Sequence, residues 1–142
     1  MATEVLYTTK AIATGGREGQ ANTLDGSFEV TLSTPKELGG DGAPGNNPEQ
    51  LFASGYAACF LGAMKFVAFQ AKDLTVPADT TVTATVGVGP RSEGGFGLEI
   101  SLDVATPGLD AETARKLVEE AHQVCPYSNA TRNNIDVKIG LI

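Results

Sequence analysis

The chain has 142 residues, a length typical of one domain that can bury a sizeable hydrophobic core. Its formal net charge of −7 argues against nucleic acid and anionic membrane surfaces as partners, because both attract Lys and Arg. Hydrophobic residues make up 42% of the chain, and the longest apolar run, within residues 51–64, is shorter than the ~20 residues of a membrane-spanning helix. The first residues lack the basic and apolar segments of a signal peptide, so we expect a soluble, cytoplasmic protein.

The first third of the chain is strand-like. Residues 4–14 alternate in character and are rich in β-branched side chains, which predicts a strand. Asp25-Gly26 separates the strand-like residues 21–24 from residues 27–33 and predicts a hairpin, because Asp-Gly favours the tight turns of antiparallel strands. Residues 34–46 are rich in Gly and Pro and predict a loop.

A glycine-rich segment, residues 15–19, interrupts the first strand with the sequence Gly-Gly-Arg-Glu-Gly. It is not a phosphate-binding loop, because it lacks the required spacing and no helix is predicted directly after it. Two interpretations remain open from the residues alone. The segment is either an ordinary turn with a solvated Arg17, or a loop whose glycines direct the guanidinium toward a functional group.

Residues 47–70 predict the central helix of the fold. Asn47 can cap the helix, Pro48 suits its first position, and Gln50 completes a capping box. Residues 51–64 are apolar or small on every side, which predicts a helix buried all round by the rest of the fold.

The second half of the chain predicts a hairpin, a helix and a last strand. The strands alternate in character, and the helix repeats its apolar residues with the helical period until Pro126 ends it. The predicted elements are a strand over 80–89, a turn over 90–95, a strand over 96–105, a helix from Asp110 to residue 123 or beyond, a polar loop over 127–134 and a strand over 135–142. The order β-β-β-α-β-β-α-β indicates an α+β fold with antiparallel sheets around a buried central helix, in one domain over residues 1–142.

Two cysteines, Cys59 on the central helix and Cys125 on the buried stripe of the second helix, are both expected to point into the interior. Either they are ordinary buried thiols, or they meet near a cation and form a redox pair. A thiolate attacks a peroxide, becomes a sulfenic acid and condenses with a second thiol. Since apolar burial raises the pKa of a thiol, a reactive Cys59 would need a positive partner.

No metal or prosthetic group is expected. The cysteines form neither a C-x-x-C pair nor a zinc-site spacing with histidine. The single histidine, His122, lies near the edge of the buried stripe, and we expect it to be dispensable for catalysis.

Three segments carry a resemblance to a known family. Residues 47–60, Asn-Pro-Glu-Gln-Leu-Phe-Ala-Ser-Gly-Tyr-Ala-Ala-Cys-Phe, closely resemble the signature of organic hydroperoxide resistance proteins, the Ohr branch of the OsmC/Ohr family. Residues 124–132, Val-Cys-Pro-Tyr-Ser-Asn-Ala-Thr-Arg, resemble the second signature of that branch, and residues 14–19 resemble its arginine loop. The resemblance runs over essentially the whole chain.

The resemblance implies a thiol-dependent peroxidase that reduces organic hydroperoxides, including those of fatty acids, to alcohols. It implies Cys59 as the peroxidatic cysteine, Cys125 as the resolving cysteine, and Arg17 with Glu49 as the pair that activates the thiolate. It also implies an interwoven homodimer without a cofactor, recycled by a dithiol such as dihydrolipoyl groups carried on a protein. From the residues themselves we expect an apolar mouth built by Phe52, Phe60, Leu61 and Met64, which favours organic hydroperoxides over hydrogen peroxide.

Two other functions stay open: an OsmC-type paralogue with a different peroxide preference, and a non-catalytic cysteine sensor or small-molecule binding module. Helix geometry adds an expectation about assembly. Glu49 and Cys59 are ten positions apart, which on one straight helix is a rise of ~15 Å with directions ~80° apart. If Glu49 holds the arginine that touches Cys59, the carboxylate must come from a second chain, unless the helix is broken or Arg17 spans the gap. We expect a homodimer with an apolar interface above roughly 2,000 Å².

Overall fold

The computed structural model describes residues 2–142, which divide into two compact units, one up to Leu51 and one from Phe52 to Ile142. The prediction of one domain over residues 1–142 stays a prediction. In the first unit, three short strands form an antiparallel sheet in the order β1-β2-β3. Their bounds are Ala11–Thr14 for β1, Gln20–Thr23 for β2 and Glu29–Thr31 for β3, with single 3-10 turns at Gly16–Glu18 and Lys36–Leu38.

The first strand is shorter than its sequence pattern. It was expected from residue 4 but begins at Ala11, and Val5, Leu6 and Tyr7 are 68%, 91% and 79% exposed. The pairing of β1 with β2 starts at Ala11 opposite Thr23, where β2 ends. An alternating pattern forms a strand only beside a partner strand. Among the residues that the structure describes, no strand pairs with residues 4–10.

Helix α1, Pro48–Ala71, begins where the sequence predicts. The capping box forms, because the Gln50 N–H donates to Oδ1 of Asn47 at 2.9 Å and the Asn47 N–H donates to Oε1 of Gln50 at 3.1 Å. The helix has 24 residues and is long and apolar enough to span a membrane by length and composition alone, a test that core helices of soluble proteins also pass. The comparison of residues 51–64 with a membrane-spanning length therefore used only part of the helix, which extends from Pro48 to Ala71.

One chain buries α1 on one face only, and the expectation that a second copy of the helix covers the rest stays a prediction. Its inner side chains enter the core of the second unit, namely Tyr56, Phe60, Ala63, Met64, Val67 and Ala68. The opposite face is exposed and carries Ser54, Ala58, Gly62, Phe66 and Phe69. A helix that is apolar all round buries only as much surface as the surrounding elements cover, and one chain covers one face.

The second sheet has the order β4-β5-β6, with β4 at Thr81–Pro90, β5 at Phe96–Ala105 and β6 at Val137–Leu141. Strands β4 and β5 form the predicted antiparallel hairpin. Strand β6 runs parallel to β5, so the expectation of purely antiparallel sheets is wrong at this pair. A helical crossover separates β5 from β6, and such a connection can return a strand in the parallel direction.

Helix α2, Ala111–Val124, is capped by Asp110, whose carboxylate accepts the Thr113 N–H at 2.7 Å. A third helix, α3, spans Pro126–Thr131, where a loop was expected. Pro126 does end α2, but proline is also well suited to the first position of a new helix. Cys125 therefore lies between two helices rather than in the last turn of one. The α+β class and the expected order of the strands and the two long helices are confirmed.

Candidate active site

The two cysteines meet in the second unit. Cys59 is partly exposed on α1, Cys125 is fully buried at the α2–α3 corner, and both are free thiols. The Cys125 thiol donates to the Cys59 sulfur, with the two Sγ atoms 3.5 Å apart. A disulfide bond is about 2.05 Å long, so the sulfurs need to close by only about 1.5 Å to form one. This agrees with the proximity expected from the sequence.

The backbone of Cys125 is bonded to both helices that meet there. Its N–H donates to the Ala121 carbonyl oxygen of α2 at 2.8 Å, and its carbonyl accepts the Asn129 N–H of α3 at 2.9 Å. Cys125 thus closes one helix and opens the next. Its position relative to Cys59 is therefore set by how the α2–α3 corner is held.

The surroundings of Cys59 in this unit favour a neutral thiol. Burial raises the pKa of Cys59, and the neighbouring Cys125 raises it further, while a hydrogen bond from the Tyr127 backbone N–H acts in the opposite direction. The net direction is upward. A thiolate at neutral pH therefore needs an additional positive group.

An aromatic cluster lies on α1 and α3 next to the cysteines in sequence. The rings of Phe52, Tyr56 and Tyr127 lie edge-on or tilted to one another, with centroids 5.7–6.2 Å apart. Gly55 makes room for Tyr127, because a Cβ at Gly55 would lie 2.8 Å from the Tyr127 hydroxyl oxygen. The sequence pattern predicts no role for Tyr127, and its position two residues after Cys125 is the signal that points to it.

The expected apolar mouth is only partly realised. Phe52 and Leu61 are partly exposed, but Phe60 and Met64 have 0% exposure and belong to the core of the second unit. The helical pattern alone does not show which apolar residues of α1 face the core and which are accessible near Cys59. In the aromatic cluster of Phe52, Tyr56 and Tyr127, the side chains of Tyr127, 37% exposed, and Phe52 are the ones accessible to a ligand.

The Arg17–Glu49 pair belongs to the first unit. Nη1 of Arg17 donates to Oε2 of Glu49 at 2.8 Å, and Nη2 donates to Oε1 at 2.6 Å, in a two-pronged arrangement. The hydrogen bonds from Arg17 lower the pKa of Glu49, and Glu49 raises the pKa of Arg17. Both groups are therefore charged at neutral pH.

Glycines allow the turn that carries Arg17. Gly15 has a φ of 74°, and a Cβ at Gly19 would lie only 1.7 Å from the Thr14 carbonyl oxygen. The sequence left open whether Arg17 is merely solvated. In the structure its guanidinium is held by a carboxylate whose side chain is only 14% exposed, so it is oriented rather than free.

Across residues 2–142 the structure contains no group of three or more His, Cys, Asp and Glu side chains that could hold a metal ion. His122, the only histidine, has its Nδ1 at 2.8 Å from Oγ of Ser128.

The chain is similar to known proteins over most of its length. The family model of OsmC-like proteins matches residues 39–140. An organic hydroperoxide resistance protein of Xanthomonas axonopodis pv. citri is 56% identical over 138 residues, covering 97% of this chain and 96% of the relative.

Solved structures match over nearly the full chain as well. A Vibrio cholerae protein assigned to organic hydroperoxide resistance, with captopril bound in one of its active sites, matches with a TM-score of 0.92 and 50% identity, covering 99% of this chain and 95% of that one. The organic hydroperoxide resistance protein OhrB of Bacillus subtilis matches with a TM-score of 0.86 and 42% identity, covering 97% of this chain and 100% of that one.

Proposed function

We propose that this chain, which belongs to the OsmC-like family and has organic hydroperoxide resistance proteins as its relatives, is a thiol-dependent peroxidase that reduces organic hydroperoxides to alcohols. The observation that carries the proposal is the pair of free thiols 3.5 Å apart, one partly exposed and one buried. The partly exposed Cys59 thiol can react with a peroxide, and the buried Cys125 thiol can then attack the sulfenic acid formed at Cys59.

The chemistry needs two thiols and no metal. The Cys59 thiolate attacks the terminal oxygen of the hydroperoxide, the O–O bond breaks, and the alkoxide takes up a proton to leave as the alcohol. The Cys125 sulfur then attacks the Cys59 sulfenic acid, the S–S bond forms, and the S–O bond breaks with release of water. A dithiol such as a dihydrolipoyl group, presented by a partner protein in the cytoplasm, restores both thiols by exchange.

The side chains around Cys59 support an organic substrate. Phe52 and Tyr127 offer partly exposed aromatic surface, which gains free energy by covering an alkyl or acyl chain. Hydrogen peroxide has no such chain. The class of substrate therefore includes alkyl and fatty-acid hydroperoxides.

The ion pair of the first unit is the proposed activator. Because the second unit by itself raises the pKa of Cys59, a guanidinium near the sulfur would be needed to keep it as the thiolate. The planar N–H donors of Arg17 can also bind the peroxide oxygens. The two-pronged bond to Glu49 fixes the orientation of the guanidinium. Arg17 and Glu49 are thus catalytic residues of the proposal together with Cys59 and Cys125.

We further propose an interwoven homodimer in which Glu49, with Arg17, serves the Cys59 of the other chain. Helix α1 is unbroken, so the ten residues between Glu49 and Cys59 correspond to a rise of ~15 Å. The exposed face of α1 carries the small residues Ala58 and Gly62 and the apolar Phe66, which suits a second helix packed closely against it.

A turnover assay tests the function. We expect the reduced protein to convert many equivalents of cumene hydroperoxide to the alcohol with dihydrolipoamide as reductant, and to act much more slowly on hydrogen peroxide. A single stoichiometric oxidation without turnover would instead identify a redox sensor. Faster turnover of hydrogen peroxide would indicate the preference of an OsmC-type paralogue.

A further inference from the structure

Two polar side chains and two thiols join the same pair of segments in the second unit. Tyr56 lies three residues before Cys59 on α1, and Ser128 lies three residues after Cys125. The Tyr56 hydroxyl lies 2.7 Å from Oγ of Ser128, and the Cys59 and Cys125 sulfurs, which join the same two segments, lie 3.5 Å apart. Residues three apart on a helix are neighbours. A displacement of the α2–α3 corner along α1 that broke the Tyr56–Ser128 contact would therefore also separate the two sulfurs.

The Ser128 hydroxyl also connects the two helices that meet at Cys125. It lies 2.8 Å from Nδ1 of His122, which belongs to α2, whereas Ser128 belongs to α3. Arg132 adds a second bond across the corner, because its Nη2 donates to the His122 carbonyl oxygen at 2.6 Å. Cys125 therefore lies at the apex of two helices that are bonded to each other and to α1.

The hydroxyls of this network are buried. Tyr56 and Ser128 have 0% exposure and Thr131 has 3%. The Thr131 hydroxyl donates to the Ser128 carbonyl oxygen at 3.1 Å, and its Oγ1 lies 3.4 Å from the Tyr56 hydroxyl. A buried hydroxyl that loses its partner cannot replace it with water, so the network favours one arrangement of the corner.

The neutral state of His122 allows hydrogen bonds to be donated in one direction, from Tyr56 to Ser128 and from Ser128 to His122. Burial, followed by the positive charge of Arg132, lowers the pKa of His122, so its ring is neutral at neutral pH. An unprotonated Nδ1 can accept a hydrogen bond from the Ser128 hydroxyl, and the Ser128 oxygen can accept one from the Tyr56 hydroxyl.

We propose that Tyr56, Ser128 and His122 form a positioning network that holds Cys125 within reach of Cys59 while the disulfide forms. This role departs from the sequence-based expectation that His122 is dispensable, because its Nδ1 lies 2.8 Å from Oγ of Ser128. The proposal rests on the peroxidase function above and adds residues that do not touch the peroxide. In this step the Cys125 sulfur attacks the Cys59 sulfenic acid, and the departing hydroxide leaves as water with the thiol proton. A loosened corner makes that approach rarer without changing the attack of Cys59 on the hydroperoxide.

The variant Tyr56→Phe removes one hydroxyl and keeps the ring, and Tyr7→Phe is its matched control because Tyr7 is 79% exposed. After one equivalent of cumene hydroperoxide, rapid quench and mass spectrometry should find sulfenic acid formation at the wild-type rate in Tyr56→Phe. Disulfide formation should be about tenfold slower, as expected for the loss of about one buried hydrogen bond. With excess hydroperoxide the sulfinic acid fraction should rise, because the sulfenic acid persists long enough to react with a second hydroperoxide molecule. Tyr7→Phe should match the wild type in both steps.

A second measurement does not need a peroxide. Equilibration with glutathione buffers gives the effective concentration of the two thiols, which should fall about tenfold in Tyr56→Phe and in Ser128→Ala. Circular dichroism identifies the folded variants, and Ser128→Ala carries the comparison if Tyr56→Phe does not fold. If the wild type fails to turn over hydroperoxide while the effective concentration falls in the variants, the function is wrong and the network stands. Unchanged disulfide rates and effective concentrations in the folded variants would overturn the network.

Discussion

Replacing Cys59 by serine should abolish hydroperoxide turnover, whereas replacing Cys125 by serine should leave the first reduction intact and stop the cycle after it. Only Cys59 is partly exposed, so only its sulfur can meet the substrate, while the buried Cys125 sulfur lies 3.5 Å behind it. A serine hydroxyl is far less nucleophilic than a thiolate. With one equivalent of hydroperoxide, the expected products are the unmodified protein for Cys59→Ser and one alcohol per chain for Cys125→Ser; each chain that goes on to the sulfinic acid with excess hydroperoxide releases a second alcohol.

The second variant has a distinctive fate. Without a resolving thiol, the Cys59 sulfenic acid in Cys125→Ser persists and is oxidised to the sulfinic acid by excess hydroperoxide, which mass spectrometry detects. Measuring alcohol released per chain for both variants completes the comparison. Substantial turnover in Cys59→Ser, or a first reduction lost in Cys125→Ser but kept in Cys59→Ser, would reverse the assignment of the two cysteines.

Replacing Arg17 by alanine should lower the turnover rate at neutral pH by about 100-fold, the typical cost of removing one donor that stabilises developing charge. Burial raises the pKa of Cys59. In the proposed site the Arg17 guanidinium counters this shift, so its loss would leave the thiol at the raised pKa. The sign of the pH dependence follows from this. The Arg17→Ala rate should recover partly as pH rises, because more thiolate forms. Thiol titration and initial rates against pH measure both effects.

Arg91→Ala is the matched control for Arg17→Ala. Arg91 is also paired with a glutamate, at 3.7 Å from Glu93, but both side chains are more than half exposed. Its removal should leave the rate unchanged, because exposed pairs of this kind contribute little. An unchanged rate and an unchanged thiol titration in Arg17→Ala would make Arg17 a turn residue only.

The chain that supplies the ion pair can be identified with the same assay. Refolding a mixture of inactive Cys59→Ser and inactive Glu49→Ala proteins produces heterodimers with one doubly altered site and one intact site, if Glu49 serves the partner chain. Activity should then partly return. No recovery in confirmed heterodimers would mean that each site is completed within one chain.

How much of this arrangement the sequence predicts depends on the range of the interactions involved. The sequence predicts the start of α1 because Asn47 and Gln50 satisfy each other's backbone N–H groups, and Pro48 has no N–H that needs a partner. The closeness of Cys59 and Cys125 followed from two helical stripes facing one core. In both cases a pattern within a short stretch of sequence predicts the outcome.

The features that sequence analysis missed depend on contacts between distant segments. Residues 4–10 have a strand pattern, but pairing with β2 begins only at Ala11. Helix α3 was missed because Pro126 signals the end of one helix as well as the start of another. The Tyr56–Ser128 bond joins residues that are 72 positions apart, and no local pattern reports such a contact.

Peptide mapping of the reduced protein after one equivalent of cumene hydroperoxide tests most directly whether Cys59 and Cys125 act as one redox pair. Digestion without reductant and mass spectrometry identify the linked peptides, and a denaturing gel without reductant separates links within a chain from links between chains. The account predicts an intrachain disulfide between Cys59 and Cys125 as the main product, reversed by dihydrolipoamide. Sulfinic acid at Cys59 as the only product, or links only between chains, would contradict it.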